Sequence, residues 1–427
     1  MTILKPGNIH VLRSTVSRGQ LLVATQADLD VVTNAGIEVQ GLLEKLARAV
    51  LAGKKKKIKH VLHAILNSPG AKLSALVRTI YYDPDAPPYT LAELLQRVRS
   101  LFPYAPVPEP VSLRFKEKDS GELRPVIDFG WMRRALQQLC ADILKVLLPA
   151  FPFDFMEKGN GGADGAAERL GAIIKEGNYD FVVTVDIKNC FRSVNKAGVA
   201  QLLPLPTPVT NNVLLIMDDI TIGKEPYDLG DLLTQFFLEA DTAARQGIPQ
   251  GSSTSTLIMS RTVLGPLLNA TPYAGRVLLH GDDIAVAAKT AEEAGDIYKT
   301  LRSRLENNGP AGPLTIGFHK IWCVDKYVNF CKYKLRRTPK VFGAEIRFCP
   351  STRSFHRYER NVVRTYLQAP DGEEEQHVAQ YSEAWKKAFG ALWQPNELAE
   401  DMLAVTTTNA MSYAWKIKYQ ARTKCAP

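Results

Sequence analysis

Val277-Leu278-Leu279-His280-Gly281-Asp282-Asp283-Ile284-Ala285-Val286-Ala287 is the stretch that decides the fold of this 427-residue chain. Two short apolar runs flank a polar turn, the pattern of a β-hairpin. The turn carries two adjacent carboxylates. Like charges a few ångströms apart repel, and a divalent cation reverses the sign of that interaction. An isolated Asp-Asp in a turn is ordinarily just solvated, so the reading depends on what stands upstream. There, Phe181-Val182-Val183-Thr184-Val185-Asp186 is a strand-like run ending in another carboxylate, continued by Ile187-Lys188-Asn189-Cys190-Phe191. Between the two lies Gln246-Gly247-Ile248-Pro249-Gln250-Gly251-Ser252-Ser253-Thr254-Ser255, a Gly/Pro/Ser loop running into the apolar stretch 257–268.

An acid at a strand end, a loop and helix, then a hairpin bearing two acids resembles the order of parts in a polymerase palm. Two-metal phosphoryl transfer needs carboxylates on rigid neighbouring strands, because the ions sit about 3.5–4 Å apart. The chain resembles the reverse transcriptase family, in the sense of right-hand palm-and-fingers RNA-directed polymerases. Upstream, Leu113-Arg114-Phe115-Lys116-Glu117-Lys118-Asp119-Ser120-Gly121-Glu122-Leu123-Arg124-Pro125-Val126-Ile127 is similar to the fingers hairpin of bacterial and group II intron-type enzymes. Downstream, Leu314-Thr315-Ile316-Gly317-Phe318-His319-Lys320 fits the segment whose Lys lies near the triphosphate. Val328-Asn329-Phe330-Cys331-Lys332-Tyr333 resembles the primer-grip turn, with Cys331 where a Leu is common.

The resemblance implies an α+β right-hand polymerase. Its expected parts are a helical N-terminal extension at 1–110, fingers at 111–185, a palm of antiparallel sheet and helices at 186–345, and a short helical thumb at 346–427. It implies Asp186, Asp282 and Asp283 as catalytic and metal-holding carboxylates, with Ile187 adding its carbonyl. Asp283 is expected to be the less intimate ligand. Two Mg²⁺ ions are the expected cofactors, with Mn²⁺ as a substitute; Mg²⁺ favours a few carboxylates plus substrate phosphates. Arg124 with Lys116 or Lys118 is expected to clamp the incoming triphosphate, since Arg offers a planar bidentate fork. Lys320 is expected to steady the pyrophosphate. The resemblance implies that Gln250 and Gly251 line the nucleotide and that Phe191 crowds a ribose 2′-hydroxyl.

Phe191 and Pro249-Gln250-Gly251-Ser252 both follow the reverse transcriptase form and favour deoxynucleotides. RNA polymerases usually carry an Asp at the Phe191 place, and Met259 stands where their ribose-reading Asn would fall. His280-Gly281-Asp282-Asp283 points the other way, because most reverse transcriptases have Tyr or Phe at the position of His280, and Gly-Asp-Asp is the spelling of viral RNA polymerases. His280 is either a packing replacement or a hydrogen-bond partner of the primer backbone. The expected function is RNA-directed DNA synthesis. A viral-type RNA-dependent RNA polymerase is the alternative, and a non-catalytic nucleic-acid-binding protein on a polymerase palm is the alternative of another class.

Composition agrees. A formal charge of +9 and a pI near 9.1 suit a polyanionic partner, and 45% hydrophobic residues can bury a substantial core. Six cysteines without paired spacing read as reduced thiols, and neither a signal-peptide core nor a membrane-length apolar run is present, so a cytoplasmic location is expected. Residues 26–69 alternate at helical spacing and include Lys54-Lys55-Lys56-Lys57-Ile58-Lys59-His60, either a solvated face or a contact to phosphates. Pro-rich 83–88 and 103–110 interrupt the helices, and helices are predicted at 131–148 and 166–175. Helices carrying Trp385, Trp393 and Trp415 are predicted over 373–419. Residues 346–427 are too few for a thumb plus RNase H. A stand-alone enzyme of this shape is similar to domesticated bacterial reverse transcriptases, including those linked to antiviral defence. Expected partners are an RNA template, a nucleic-acid primer and dNTPs, with a dedicated non-coding RNA or a partner protein as further candidates, and no membrane.

Overall fold

Among the described residues there are ten strands, some alternating and some, such as Val277–His280 and Asp283–Ala288 of the central hairpin, almost continuously buried, with helices at period 3.6 around them. The computed structural model describes residues 26–81, 89–107, 109, 111–117, 123–216, 222–223, 242, 244–340, 343–393 and 395–424. The Pro-rich segment 83–88 and the hairpin tip that holds Lys118 lie outside the described residues. The strands are β1 (Val111–Glu117), β2 (Leu123–Phe129), β3 (Phe181–Ile187), β4 (Ile222–Gly223), β5 (Val277–His280), β6 (Asp283–Ala288), β7 (Ile316–Cys323), β8 (Val328–Phe330), β9 (Tyr333–Lys340) and β10 (Gly343–Pro350). They form three sheets, ordered β2-β1-β4, β5-β6-β3-β7 and β10-β9-β8. No described helix is long and apolar enough to cross a membrane.

The chain divides into two compact units that interleave in sequence. One takes its described residues from Met1–Pro152, Ile187–Thr271 and Arg302–Thr315. Helix Gln26–Leu51 buries Leu29, Val32, Ala35, Val39, Leu43 and Leu46, a stripe at three- and four-residue steps. Helices Lys55–Asn67, Pro69–Tyr81 and Leu91–Ser100 follow, and Pro69–Tyr81 packs against helix Trp131–Leu147. That last helix matches the sequence prediction to within a residue. Its C-terminal carbonyls are closed by buried Arg261, whose Nη1 donates to Lys145 O at 2.9 Å and Leu148 O at 2.7 Å. A guanidinium there satisfies groups that a helix end leaves open. Arg261 belongs to a continuous helical stretch at 255–269, whose middle, Met259–Leu264, is π-helical. The β1–β2 hairpin is antiparallel, in register from Val111↔Phe129 to Glu117↔Leu123.

The other unit comprises Phe153–Asp186, Pro272–Leu301 and Ile316–Pro427. Its four-stranded sheet has β3 and β6 antiparallel and β5 and β6 joined as the predicted hairpin. Helix Gly162–Gly177 starts four residues earlier than the sequence suggests, inside the Gly-rich loop, where Gly161 and Gly162 take φ of +82° and +60°. Its Ala166, Ala167, Leu170 and Ile174 join Val182, Leu278, Ala285, Trp322 and Tyr333 in one core. Strand β10 runs through Pro350, so the C-terminal helices begin only at Thr352. Ile346 and Phe348 alternate along that strand and lie against Gly171, the period-two signature that a helical reading of 346–350 passes over. Helices Thr352–Gln368, Glu374–Phe389 and Glu397–Lys424 complete the unit around Tyr358, Trp385, Phe389 and Trp393, whose rings meet at centroid distances of 4.6–6.3 Å. Both units mix helices with mainly antiparallel sheet, the α+β class expected.

Candidate active site

Strand register puts the acids together. Asp186, the penultimate residue of β3, pairs with Asp283 at the start of β6, and Asp283 pairs in turn with His280 at the end of β5. Directly opposed residues share a face of the sheet, so Asp186, Asp283 and His280 form one row across three strands. Only Gly281 and Asp282 lie between the paired ends of the hairpin. Gly281 adopts φ +69°, as the first position of a two-residue hairpin turn requires. A Cβ at Gly281 would meet nothing within 4 Å, so the demand is one of backbone conformation alone.

Three carboxylates at the rim of an apolar sheet cannot all charge cheaply. Burial first, then the charges of Asp282 and Asp186, push the Asp283 carboxyl up to about 7, with Arg353 opposing. The same burial lowers the His280 pKa, so its imidazole is neutral at physiological pH and can donate or accept at either nitrogen. Asp283 is thus a carboxylate that feels the charges of both others.

Three neighbours were not assigned from sequence. Cys331, in the turn between β8 and β9, comes over the row: a ligand atom of each of His280, Asp283 and Cys331 lies within 4.8 Å of the others. Asp154 is 1% exposed in a segment that pairs along β5 through Phe155 N to Leu279 O and Leu279 N to Phe153 O, each 2.8 Å. Its Oδ1 accepts from Met156 N at 3.0 Å, and its charge acts on His280. Arg353 opens helix Thr352–Gln368 and acts on Asp283. A buried Asp between aromatics (Phe153-Asp154-Phe155) and arginines at 353, 357, 360 and 364 were the signals in the sequence; the distant pairing that brings them to the hairpin was not legible. Lys320 sits on β7 with its ammonium 4.0 Å from the centre of the Trp322 ring, and Trp322 Nε1 donates to Thr184 Oγ1 at 2.7 Å, two residues before Asp186.

The remaining site residues belong to the first unit and assemble around one loop. Ile127 N donates to Gln250 O at 2.8 Å, laying the Pro249-Gln250-Gly251 turn along β2. Gly251 has φ +109°, and a Cβ there would collide with the Ile127 carbonyl. Ile248 N donates to Phe191 O at 2.8 Å, and Gly247, at φ +60°, admits the Phe191–Arg192 backbone where a side chain would not fit. Phe191 itself is half-buried in the short helix Cys190–Ser193. Phe191, Gln250, Gly251 and β2 are therefore one local construction. On the hairpin, Lys116 and Arg124 are directly opposed and both exposed. Like charges across a ladder destabilise it by a few tenths of a kcal/mol or more, roughly 0.2–1, unless an anion lies between them. Ile187 is 1% exposed, leaving its backbone as the only part of it that a ligand could use.

A model of the family described as reverse transcriptase (RNA-dependent DNA polymerase) matches residues 115–321, which run from the first hairpin strand through Lys320 and include all three carboxylates. The search of curated proteins finds no match. Domains of this kind use divalent metal ions, act on a nucleic-acid template and take dNTPs, and the described acids supply the hard oxygen donors such ions require. Residues 115–321 are thus assigned to a reverse transcriptase domain, an RNA-directed DNA polymerase and so a nucleotidyltransferase.

Proposed function

We propose that this enzyme extends a primer on an RNA template by two-metal phosphoryl transfer, with Asp186, Asp282 and Asp283 as the metal-holding carboxylates. The observation that carries the reading is Asp186 in register with Asp283 beside the turn that holds Asp282, where burial first and then the two neighbouring charges lift Asp283 to about 7, a cost a divalent cation would relieve. The residues fit two Mg²⁺ ions, with Mn²⁺ as a substitute, and the Ile187 carbonyl would add one more oxygen. When bound, the ions supply charge neutralisation at the phosphates and ease deprotonation of the primer 3′-hydroxyl. The new bond joins that oxygen to the α-phosphorus, and the α–β bridging bond breaks to release pyrophosphate.

Around that chemistry, the chain's own residues bind and select. Arg124 and Lys116, with Lys118 as the other candidate, clamp the triphosphate, and Lys320 steadies the leaving pyrophosphate. Phe191, held by the 246–251 loop, excludes the 2′-hydroxyl by filling its space, so ribonucleotides are rejected sterically. The Gly-Asp-Asp spelling loses its weight for an RNA polymerase, because Gly281 answers to the turn's backbone conformation. Lys55, Lys56 and Lys57 occupy the first turn of helix Lys55–Asn67, which has no acidic residue there and no side-chain cap. Cations at a helix N-terminus oppose its dipole by about 0.3–1 kcal/mol each; an RNA backbone, of the template or of a dedicated non-coding RNA, would offset that cost. Helix Thr352–Gln368 and its two successors act as the thumb. We assign the work to the cytoplasm and to antiviral defence on the architectural resemblance; loss of phage protection in cells carrying Asp282→Ala would test the latter. The enzymatic reading is tested by Asp282→Ala in primer extension: folded protein that still incorporates dNTPs at the wild-type rate refutes it.

A further inference from the structure

His280, Asp283 and Cys331 put one nitrogen, one carboxylate oxygen and one sulfur within 4.8 Å of one another. That donor set is ill suited to Mg²⁺, which takes oxygen. It suits zinc, bound by imidazole at about 2.0–2.1 Å, thiolate at about 2.3 Å and carboxylate at about 2.0–2.2 Å. Tetrahedral bonds of those lengths space the ligand atoms by roughly 3.3–3.8 Å, a closure that side-chain rotation can supply. We infer that this triad is a binding site for a thiophilic divalent cation of the zinc type, and that its occupancy takes Asp283 away from the catalytic carboxylates.

Three further features support it. Cys331 holds φ +54°, a left-handed conformation that costs a non-glycine residue about 1–2 kcal/mol, so the thiol is kept over the row at a backbone cost. The neighbouring cation, Lys332, acts on His280 and Cys331 by its charge, while its ammonium is held by Asp164 Oδ1 at 2.7 Å and by Ala388 O at 2.7 Å. Near His280, the buried carboxylate of Asp154 acts on the imidazole through its charge, which favours a cation bound there. Three protein ligands leave a fourth position for water. Binding displaces the Cys331 proton to solvent, so the site carries Cys as thiolate, His as neutral imidazole and Asp as carboxylate.

The test uses the full chain, reduced and stripped of metal, titrated with Co²⁺ as a spectroscopic stand-in for Zn²⁺. Wild-type protein is expected to develop a thiolate-to-cobalt charge-transfer band that Zn²⁺ bleaches. Cys331→Ser should lose the band, while His280→Gln and Asp283→Asn keep the thiol and bind at least roughly tenfold more weakly, the scale on which a disturbed ligand set lowers metal affinity. Circular dichroism confirms that each variant is folded. A band of equal strength in Cys331→Ser, or none in the wild type, overturns the site. The consequence for catalysis rests on the proposed role of Asp283, and it is read separately: Zn²⁺ at fixed Mg²⁺ should inhibit dNTP incorporation by wild-type protein far more than by Cys331→Ser. Equal inhibition overturns the competition, and because metal binding is measured without polymerisation, its failure would leave the polymerase assignment standing.

Discussion

Asp282 stands at the tip of the hairpin and Asp283 beneath it, and the two differ in what surrounds them more than in chemistry. Asp283 is packed among Asp186, His280 and Cys331, so its charge is costly without a cation. Removing Asp282 is expected to lower dNTP incorporation by at least ~10³-fold, the scale on which electrostatic stabilisation of a transition state is lost, with the thermal midpoint unchanged or raised. Steady-state extension with a melting curve on the same preparation checks it. Phe191→Ala should cut discrimination against ribonucleotides by roughly 10–100-fold, the worth of one apolar packing contact in a substrate pocket, measured as the ratio of kcat/KM for dNTP over NTP. The three acids, Phe191 and Gln250-Gly251 were legible because each sits in a short local pattern. Cys331 as a neighbour of Asp283, and Asp154 near His280, were not, since both arrive through pairings between segments far apart in sequence. Cys331 in particular read as a replacement for the Leu common in a primer-grip turn, and its position over the row brings the thiol to Asp283.

Elements explain why the residues hold their places. The two-residue turn of the β5–β6 hairpin fixes the register that aligns His280, Asp283 and Asp186, and a one-residue slip would send the row to the other face. Helix Thr352–Gln368 displays Arg353, Arg357, Arg360 and Arg364 at steps of four, three and four, with the first acting on Asp283. Such a stripe follows one face of a helix. Replacing Arg357 and Arg360 by Ala should weaken primer–template binding on every sequence alike and reduce the salt dependence of log K by about one for each phosphate no longer neutralised. Filter binding over a salt series measures this, and an unchanged slope would remove the helix from the nucleic-acid interface. The arginine period was present in the sequence, but a run of cations on a helix looks the same whether it faces water or a duplex. Helix 131–147 and the β5–β6 hairpin were readable from local pattern, and the β1–β2 hairpin from the family resemblance. The start of helix Gly162–Gly177 was not, because positive-φ glycines let it begin inside what reads as a loop.

At the scale of the whole molecule, the sequence order of parts conceals two compact units that alternate along the chain, one boundary falling between Asp186 and Ile187 at the end of β3. A linear division of the chain cannot show such interleaving, which is decided by strand pairing across long loops. Within the second unit, Lys418 of the last helix reaches back to Asp371 and Glu374, each at 2.7 Å. That partner holds the Glu374 carboxyl down to about 2, below its ordinary 4.5. A depressed carboxylate contributes stability that is complete above its unfolded pKa and lost as pH falls through the folded one. Glu374→Gln should therefore lower the melting temperature slightly at pH 7, as solvent-screened pairs do, with the gap to wild type closing between about pH 4.5 and 2. Metal acts on the same scale: Mg²⁺ should raise the melting temperature of the wild type and not of Asp186→Asn, since a ligand that binds only the native state stabilises it.

The most direct measurement is extension of a primed RNA template in Mg²⁺, with labelled dNTPs in one reaction and labelled NTPs in another, for wild type and Asp282→Ala side by side. A DNA product is expected from the wild type alone. RNA product from the NTP reaction, or equal DNA synthesis by the variant, would contradict it.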